Sequence, residues 1–432
     1  MPTNFVQELR WRGLVHDIMP ETENFLKENP TKGYIGFDPT SDSLHIGSLV
    51  QIIILMHFQN AGHSPIVLVG GATGMIGDPS GKSDERNLLD QESLNKNCNG
   101  IQKQLEQFLN FDNSFTNTAL LVNNYDWMKG YSLIDFSRDI GKHVTVNYMM
   151  AKESVKKRLS SEAKVGMSFT EFTYQLLQGY DFLHLYKTQN CRIQLGGSDQ
   201  WGNITTGTEL IRRKEGGKAY AMTCPLIKKA DGTKFGKTEE GNIWLDKKRT
   251  SPYKFYQFWL NTSDEDALSY VKIFTFLNED EVNEKIKEHE IAPHLRLLQK
   301  IIANETTILV HGIEELKRAE EASQILFGKA TGEALQKLDT TTFLELFEGV
   351  PQAEINRSLI TNGLNIVSAL SGDIGFLNSN GEARRALKES SISVNKSKVN
   401  QDFIITKEHL IGNQYILLQR GKKNYFILKI AN

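Results

Sequence analysis

Two lysines three residues apart, Lys234 and Lys237, lie in ADGTKFGKTEEGNIWLD between Ala230 and Asp246. Hydroxyls flank them at Thr233 and Thr238, and Gly232 and Gly236 free the backbone between them. Two cations on a mobile loop beside a hydroxyl can follow and neutralise the charge of a departing polyphosphate. A second candidate is FDPTSDSLHIGSLVQ, Phe37 to Gln51, which carries Asp38, Thr40, His45, Gly47 and Ser48. Its serines or Asp42 can cap the helix that follows, leaving His45 to face an anion beside free N–H groups. A third is VGGATGMIGDPSGK, where five glycines permit close backbone approach to a ligand and Asp78, Lys82 and Arg86 converge beyond the turn. Each also admits a plainer reading: a solvated lysine turn, an ordinary helix start, a Gly-rich connection.

Two further stretches suit a small polar-aromatic ligand. FTEFTYQLLQGYDFLHLY reads as an aromatic-rich helix on which Tyr174, Gln178 and Asp181 recur at i, i+4 and i+7. That spacing places three polar groups on one face, although tyrosines at a core edge would share it. QLGGSDQWGN sets Asp199 and Gln200 on a glycine turn after a strand.

The elements that must position these residues alternate. KGYIGFD, SPIVLVGGATG, TALLVNNYDW and CRIQLGGSDQ are apolar runs ending in turns, with helical patterns between them. This predicts a parallel α/β sheet whose ligands gather at the carboxyl ends of its strands. Residues 125–164 interrupt the alternation and read as a helical insertion. From Ser251 to about Ala334 the pattern is helical, with N-cap candidates in NTSDEDALSYVKIF and amphipathic spacing in NEDEVNEKIKEHEI. GVPQAEI marks a boundary, followed by a short helix, GEARRALKES, and the β-rich runs SISVNKSKV, QYILLQR and NYFILKI.

Composition excludes several classes. The 432 residues are 39% hydrophobic and 24% charged, and no apolar run approaches the length that spans a bilayer. The N-terminus lacks a signal-peptide core, and three widely spaced cysteines read as buried thiols in a reducing compartment, so a cytoplasmic location is expected. The net charge of −2 is uneven: residues 381–432 hold ten Lys/Arg against four Asp/Glu. A basic end on an acidic body suits a polyanionic partner.

Taken in order, these motifs resemble bacterial tyrosyl-tRNA synthetase, a class I aminoacyl-tRNA synthetase. The resemblance runs through YIGFDPTSDSLHIGS, GGATGMIGDPSGK, NNYDW, VNYMMAKES, FTYQLLQGYDF, QLGGSDQWGNI, DGTKFGKTEEGNIWLD and SPYKFYQFW, and NGEARRALKESSISVNKSKV resembles an S4-type RNA-binding module. It implies a Rossmann-like parallel-sheet catalytic domain over 1–225 with a dimer-forming helical insertion at about 125–164. A mobile KFGKT-loop linker follows at 226–250, then an α-helical anticodon-binding domain at 251–334. A linker at 335–352 leads to a small α+β S4-like domain at 353–432.

The implied reaction joins L-tyrosine to ATP, with Mg²⁺ accompanying the nucleotide and no built-in metal site. Tyrosyl-adenylate and pyrophosphate form first, and the tyrosyl group then passes to the terminal adenosine of tRNA(Tyr). By the same resemblance Tyr34 and Asp181 contact the substrate phenol, while Tyr174, Gln178 and Asp78 hold its amino group. Gly36, Asp38, Asp199 and Gln200 fix the adenylate and tyrosine backbones, with Gly47, Ser48 and Gly197 on the nucleotide side. Thr40, His45, Lys234, Lys237 and Thr238 meet the terminal phosphates, with Lys82 and Arg86 contributing. Arg384, Arg385, Lys388, Lys396 and Lys398 are the expected RNA contacts, with Lys422 and Lys423 as weaker ones. A homodimer is expected, and no editing domain, because a site that hydrogen-bonds a phenol rejects phenylalanine unaided.

Three positions depart from the family pattern. Ser48 stands where the HIGH signature has its second histidine, KFGKT replaces the more general KMSKS, and ESSISVN has serines where the S4 module has a glycine turn. The nearest alternative readings are tryptophanyl-tRNA synthetase, which lacks use for a hydroxyl beside the acid, and a non-catalytic RNA-binding paralogue.

Overall fold

The computed structural model describes residues 4–80, 90–159, 166–238, 241–327, 335, 338–348, 350–421 and 424–431. The described residues form two compact units, Met1–Thr250 with Phe258–Leu309, and Ser251–Gln257 with Val310–Asn432.

In the first unit five strands form one sheet: β1 (Lys32–Phe37), β2 (Ser64–Val69), β3 (Leu120–Asn123), β4 (Cys191–Gly197) and β5 (Tyr220–Cys224). Every pairing is parallel and the order is β3-β2-β1-β4-β5. The alternation of apolar runs and helical patterns anticipates this sheet. Its central strands are buried along most of their length and show no apolar–polar alternation, as in a parallel sheet covered by helices. β1 lies between β2 and β4, so the connections leave it in opposite directions, and a crevice opens beyond the carboxyl ends of β1 and β4. The long helix Phe169–Gln189 leads into β4. It begins with a capping box in which Ser168 and Glu171 satisfy each other's backbone N–H, and it ends at Asn190 in the left-handed conformation.

Residues 125–159 hold the short helices Tyr125–Met128, Leu133–Asp139, Val146–Met150 and Glu153–Leu159, and the rest of the expected insertion, 160–164, lies outside the described residues. Beyond the sheet, helix Asp264–Phe274 is capped by Ser263, and Glu279–Ile291 by a capping box of Asn278 with Glu281. The N-terminal helix Phe5–Trp11 is tied to this region by Arg12, a residue only 2% exposed. Its guanidinium donates to the carbonyl oxygens of Lys272 (2.6 Å), Thr275 (2.7 Å) and Leu277 (2.7 Å), and to Glu8. These carbonyls lie at and beyond the end of a helix, where the last turn leaves acceptors unsatisfied.

The second unit holds a five-stranded sheet of order β11-β10-β13-β14-β8, with β8 (Gln352–Ile355), β10 (Ile392–Val394), β11 (Ser397–Lys398), β13 (Tyr415–Arg420) and β14 (Asn424–Ile430), and an antiparallel pair of β9 (Leu364–Asn365) and β12 (Ile404–Ile405). Alternation divides its side chains. Ile416, Leu418 and Leu428 pack with Ala383, Ala386 and Leu387 of helix Asn380–Lys388. Tyr415, Leu417 and Ile427 pack instead with Tyr253, Phe343 and Phe347. The small α+β architecture expected of this end is present.

Candidate active site

A cavity of about 280 Å³ opens at the carboxyl ends of the first sheet. Ten of the expected binding residues line it: Tyr34, Gly36, Asp38, Asp78, Tyr174, Gln178, Asp181, Gly197, Asp199 and Gln200. They arrive on several elements. Tyr34 and Gly36 belong to β1 and Asp38 follows it, Gly197 ends β4, and Asp199 and Gln200 form the turn beyond. Tyr174, Gln178 and Asp181 share one face of the Phe169–Gln189 helix, as their spacing predicts.

At one end the hydroxyl of Tyr34, a residue 1% exposed, has no hydrogen-bond partner among the described residues. Burial raises its pKa well above the ordinary phenol value, and the nearby Asp181 raises it further, so it is a donor at neutral pH. Asp181 is itself buried. Trp127 Nε1 donates to its Oδ1 (2.9 Å) and Asn124 Nδ2 to its Oδ2 (3.0 Å). Burial outweighs those two bonds and pushes its pKa up to about 8.

A hydrogen-bonded chain runs from there to the other end. Asn124 Nδ2 also donates to Thr73 Oγ1 (3.0 Å), which donates to Asp38 Oδ1 (2.8 Å), and Tyr174 donates to Asp38 Oδ2 (2.9 Å). Gly70 makes this possible, because a Cβ there would overlap Asp38 Oδ1. Asp78 forms the facing cluster: its Oδ2 accepts from Gln200 Nε2 (2.6 Å) and its Oδ1 from Ser80 N–H (2.9 Å) and Asn203 Nδ2 (3.4 Å). Burial raises the pKa of Asp199, and the neighbouring Asp78 adds to it. The described residues that line the cavity thus include four carboxyl groups and no lysine or arginine. Such a field favours a cation, while Leu68, Leu195 and Leu226 supply apolar wall.

Asn124, Trp127 and Thr73 fall within NNYDW and GGATGMIGDPSGK but carry no individual mark of a site role in the sequence. Nor do Gln51 and Gln194, which line the cavity with buried Oε1 atoms that lack a partner among the described residues. Nothing in a single element distinguishes them: Asn124 and Trp127, for example, gain their role from Asp181 on the Phe169–Gln189 helix.

The described residues expected to meet the phosphates lie outside this cavity, and three of them, His45, Gly47 and Ser48, stand at the start of helix Ile46–Asn60. Thr40, His45, Gly47, Ser48 and Lys234 are not among the lining residues. The structure corrects the expected cap. His45 is the N-cap, its Nδ1 accepting from Gly47 N–H (3.0 Å), rather than the serines or Asp42. Asp42 pairs instead with Arg249 and with Lys96 (3.4 Å). The chain that follows the lysine loop reaches this cap. Ile46 N–H donates to Ile243 O (3.0 Å), Leu245 N–H to Leu44 O (2.9 Å), and the rings of His45 and Trp244 meet edge to face at 6.1 Å. A Cβ on Gly47 would overlap the His45 ring, so glycine is required beside this cap. Ser48 is half-buried in the first turn, its N–H donating to His45 O (2.8 Å).

In the lysine loop, Lys237 and Thr238 form β6, paired with β7 (Gly241–Asn242), and only their backbone is described. Lys234 is exposed. Lys82, Arg86, Lys422 and Lys423 lie outside the described residues. In the second unit Arg384, Arg385 and Lys388 are exposed on helix Asn380–Lys388 and Lys398 on β11. Lys396 is half-buried, donating to Tyr425 OH (2.8 Å) with its ammonium 4.6 Å over that ring. Among the described residues no group of three or more His, Cys, Asp or Glu is placed to hold a metal ion, and no helix is long and apolar enough to cross a membrane.

Comparison with known proteins bears on the whole chain. Residues 26–328 match the family model for class I tRNA synthetases (W and Y), and residues 342–428 match the tyrosine–tRNA ligase SYY-like C-terminal domain. Tyrosine–tRNA ligase from Flavobacterium psychrophilum is 64% identical over 99% of both chains. That from Bacteroides fragilis is 60% identical over 98% of this chain and 99% of its own. Among solved structures, a C-terminally truncated mitochondrial tyrosyl-tRNA synthetase from Aspergillus nidulans superposes with a TM-score of 0.67 at 30% identity, covering 75% of this chain and 94% of its own. A tryptophanyl-tRNA synthetase from Plasmodium falciparum (TM-score 0.51, 13% identity) shares the fold alone. The chain therefore belongs to the class I tRNA synthetases, among the tyrosine–tRNA ligases.

Proposed function

We propose that the cavity binds L-tyrosine with its phenol between Tyr34 and Asp181 and its ammonium group among Asp78, Tyr174 and Gln178. The carrying observation is the buried Tyr34 hydroxyl that lacks a partner among the described residues, beside a buried carboxyl group. A substrate phenol accepts from Tyr34 and donates to Asp181, which satisfies both. Phenylalanine leaves the buried Tyr34 hydroxyl unpaired and gives Asp181 no donor beyond Asn124 and Trp127, a penalty that supports discrimination of about 10⁴–10⁵.

Activation needs no side-chain nucleophile. The tyrosine carboxylate attacks the α-phosphorus of ATP, the bond to the bridging oxygen breaks, and pyrophosphate leaves with the electron pair. Positioning and charge stabilisation then carry the rate. Asp38, Asp199 and Gln200, with Gly36 and Gly197, hold the adenylate side. The N-terminus of helix Ile46–Asn60 offers backbone N–H groups and a positive dipole end to the departing phosphates. Thr40, His45, Lys234, Lys237 and Thr238, with Lys82 and Arg86, supply further donors and cations. Mg²⁺ arrives bound to the phosphates of ATP, and no residue of this chain is assigned to it.

The tyrosyl group passes next to the terminal adenosine of tRNA(Tyr). Residues 251–334 are assigned to the anticodon arm, and Arg384, Arg385, Lys388, Lys396 and Lys398 to the RNA backbone, in a cytoplasmic enzyme. Leu133 and Ile134, 73% and 77% exposed on an insertion helix, support a homodimer, checked by a solution mass twice that of the chain. The test of the activity is ATP–pyrophosphate exchange with each amino acid in turn. Dependence on tyrosine alone is expected; dependence on tryptophan, or no exchange, would overturn the reading.

A further inference from the structure

Phe235 stands between the two lysines of the loop, and no role in the chemistry falls to it. Its ring enters a socket built by two helices, Pro252–Leu260 and Asp264–Phe274. It stacks on Phe274 at 5.3 Å and 23° and meets Tyr270 edge to face at 5.1 Å. Trp259 and Phe258 close the other sides at 5.9 and 6.1 Å. A phenylalanine serving only a solvated turn would have no reason to displace water from four aromatic rings.

The same helix holds the loop at a second point. Asp266, buried in the first turn of Asp264–Phe274, accepts from the backbone N–H of Ala230 (2.8 Å). The next residue after Phe235 is held against a different helix. Gly236 has φ of +81°, and a Cβ on it would sit 3.0 Å from Ile46 Cγ1, so the backbone lies directly against the start of helix Ile46–Asn60. Its carbonyl accepts from Ile243 N–H (3.2 Å). The dipeptide Phe235–Gly236 is thus pinned between the aromatic socket and the residue that follows His45. Lys234 precedes the pinned pair and Lys237 follows it.

We propose that Phe235 is a positioning residue for adenylate formation: its docking in the Phe258–Trp259–Tyr270–Phe274 socket sets where the backbone of Lys234 and Lys237 stands relative to His45. The inference rests on the tyrosine-activating reading above. Rigidly held cations need no reorganisation as charge develops, whereas cations on an undocked loop must be ordered during each turnover. The contribution therefore belongs to the transition state and leaves ground-state tyrosine binding untouched, since the socket lies outside the residues lining the cavity.

The experiment uses the full chain with Phe235→Ala and Phe235→Leu, measuring tyrosine-dependent exchange and, on the same preparations, tyrosine binding by equilibrium dialysis. Phe235→Ala is expected to lower kcat for exchange by about 10- to 100-fold, the scale of a small misplacement of a catalytic group, with the tyrosine dissociation constant changed less than about twofold. Phe235→Leu refills the socket and is expected to recover most of the rate. Transfer of tyrosyl from preformed adenylate, after pyrophosphate has gone, is expected to be unaffected. Unchanged kcat in Phe235→Ala, equal losses in rate and tyrosine binding, or no recovery in Phe235→Leu would each overturn the proposal. The wild-type dependence on tyrosine tests the underlying activity separately from the ratio of variant to wild type.

Discussion

At the residue scale the cavity depends on a few groups held in unusual states. Asp181 is a carboxyl whose burial pushes its pKa to about 8, facing Tyr34, Asn124 and Trp127, with Asp38 adding a like charge. A phenol donating to it favours the carboxylate form, so tyrosine binding releases a proton from Asp181 below that pKa. Tyrosine affinity is accordingly expected to rise with pH between about 6 and 8 and then level, by linkage. Titration calorimetry across that range checks this, and Asp181→Asn is expected to flatten the slope; a slope that persists would assign the titration elsewhere. The i, i+4, i+7 spacing makes Tyr174, Gln178 and Asp181 legible in the sequence. Asn124 and Thr73 are not, because the chain that links Asp181 to Asp38 draws on residues following three different strands. Sequence spacing reports on one element at a time.

At the element scale the alternation of apolar runs and turns foretells the sheet, and the strand order explains why the site forms where it does. What the pattern does not disclose is contact between distant segments. His45 caps its helix because residues 243–245 pair with 44–46 and bring Trp244 against its ring. A local reading of FDPTSDSLHIGS favours Ser or Asp at the cap, the usual side chains there. Arg12 is a second example, an ordinary N-terminal arginine in the sequence and a buried tie to three carbonyls in the fold. Arg12→Met leaves those acceptors and Glu8 unpaired, and is expected to cost about 3 kcal/mol of stability. Urea unfolding followed by circular dichroism checks it; a loss within about 0.5 kcal/mol, as at ordinary surface sites, would show the tie to be incidental.

At the scale of the whole molecule the uneven charge acquires a place. Arg384, Arg385 and Lys388 are exposed along one short helix of the second unit, and Lys396 is half-buried, donating to Tyr425. Replacing Arg384 and Arg385 by glutamate is expected to weaken tRNA binding and to reduce the salt slope by about 1–2, with amino-acid activation unchanged. Filter binding over a salt series reads both; an unaltered slope would move the phosphate contacts elsewhere. Composition reveals the basic end, and the fold shows which of its cations face solvent.

The central claim is that Tyr34 and Asp181 together read a phenol hydroxyl. Its most direct test is the ratio of kcat/KM for tyrosine and phenylalanine in pyrophosphate exchange, in the wild type and in Tyr34→Phe. The wild-type ratio is expected at about 10⁴–10⁵, falling by about tenfold when the Tyr34 hydroxyl is removed, the worth of one buried hydrogen bond. A ratio that Tyr34→Phe leaves unchanged would contradict the claim.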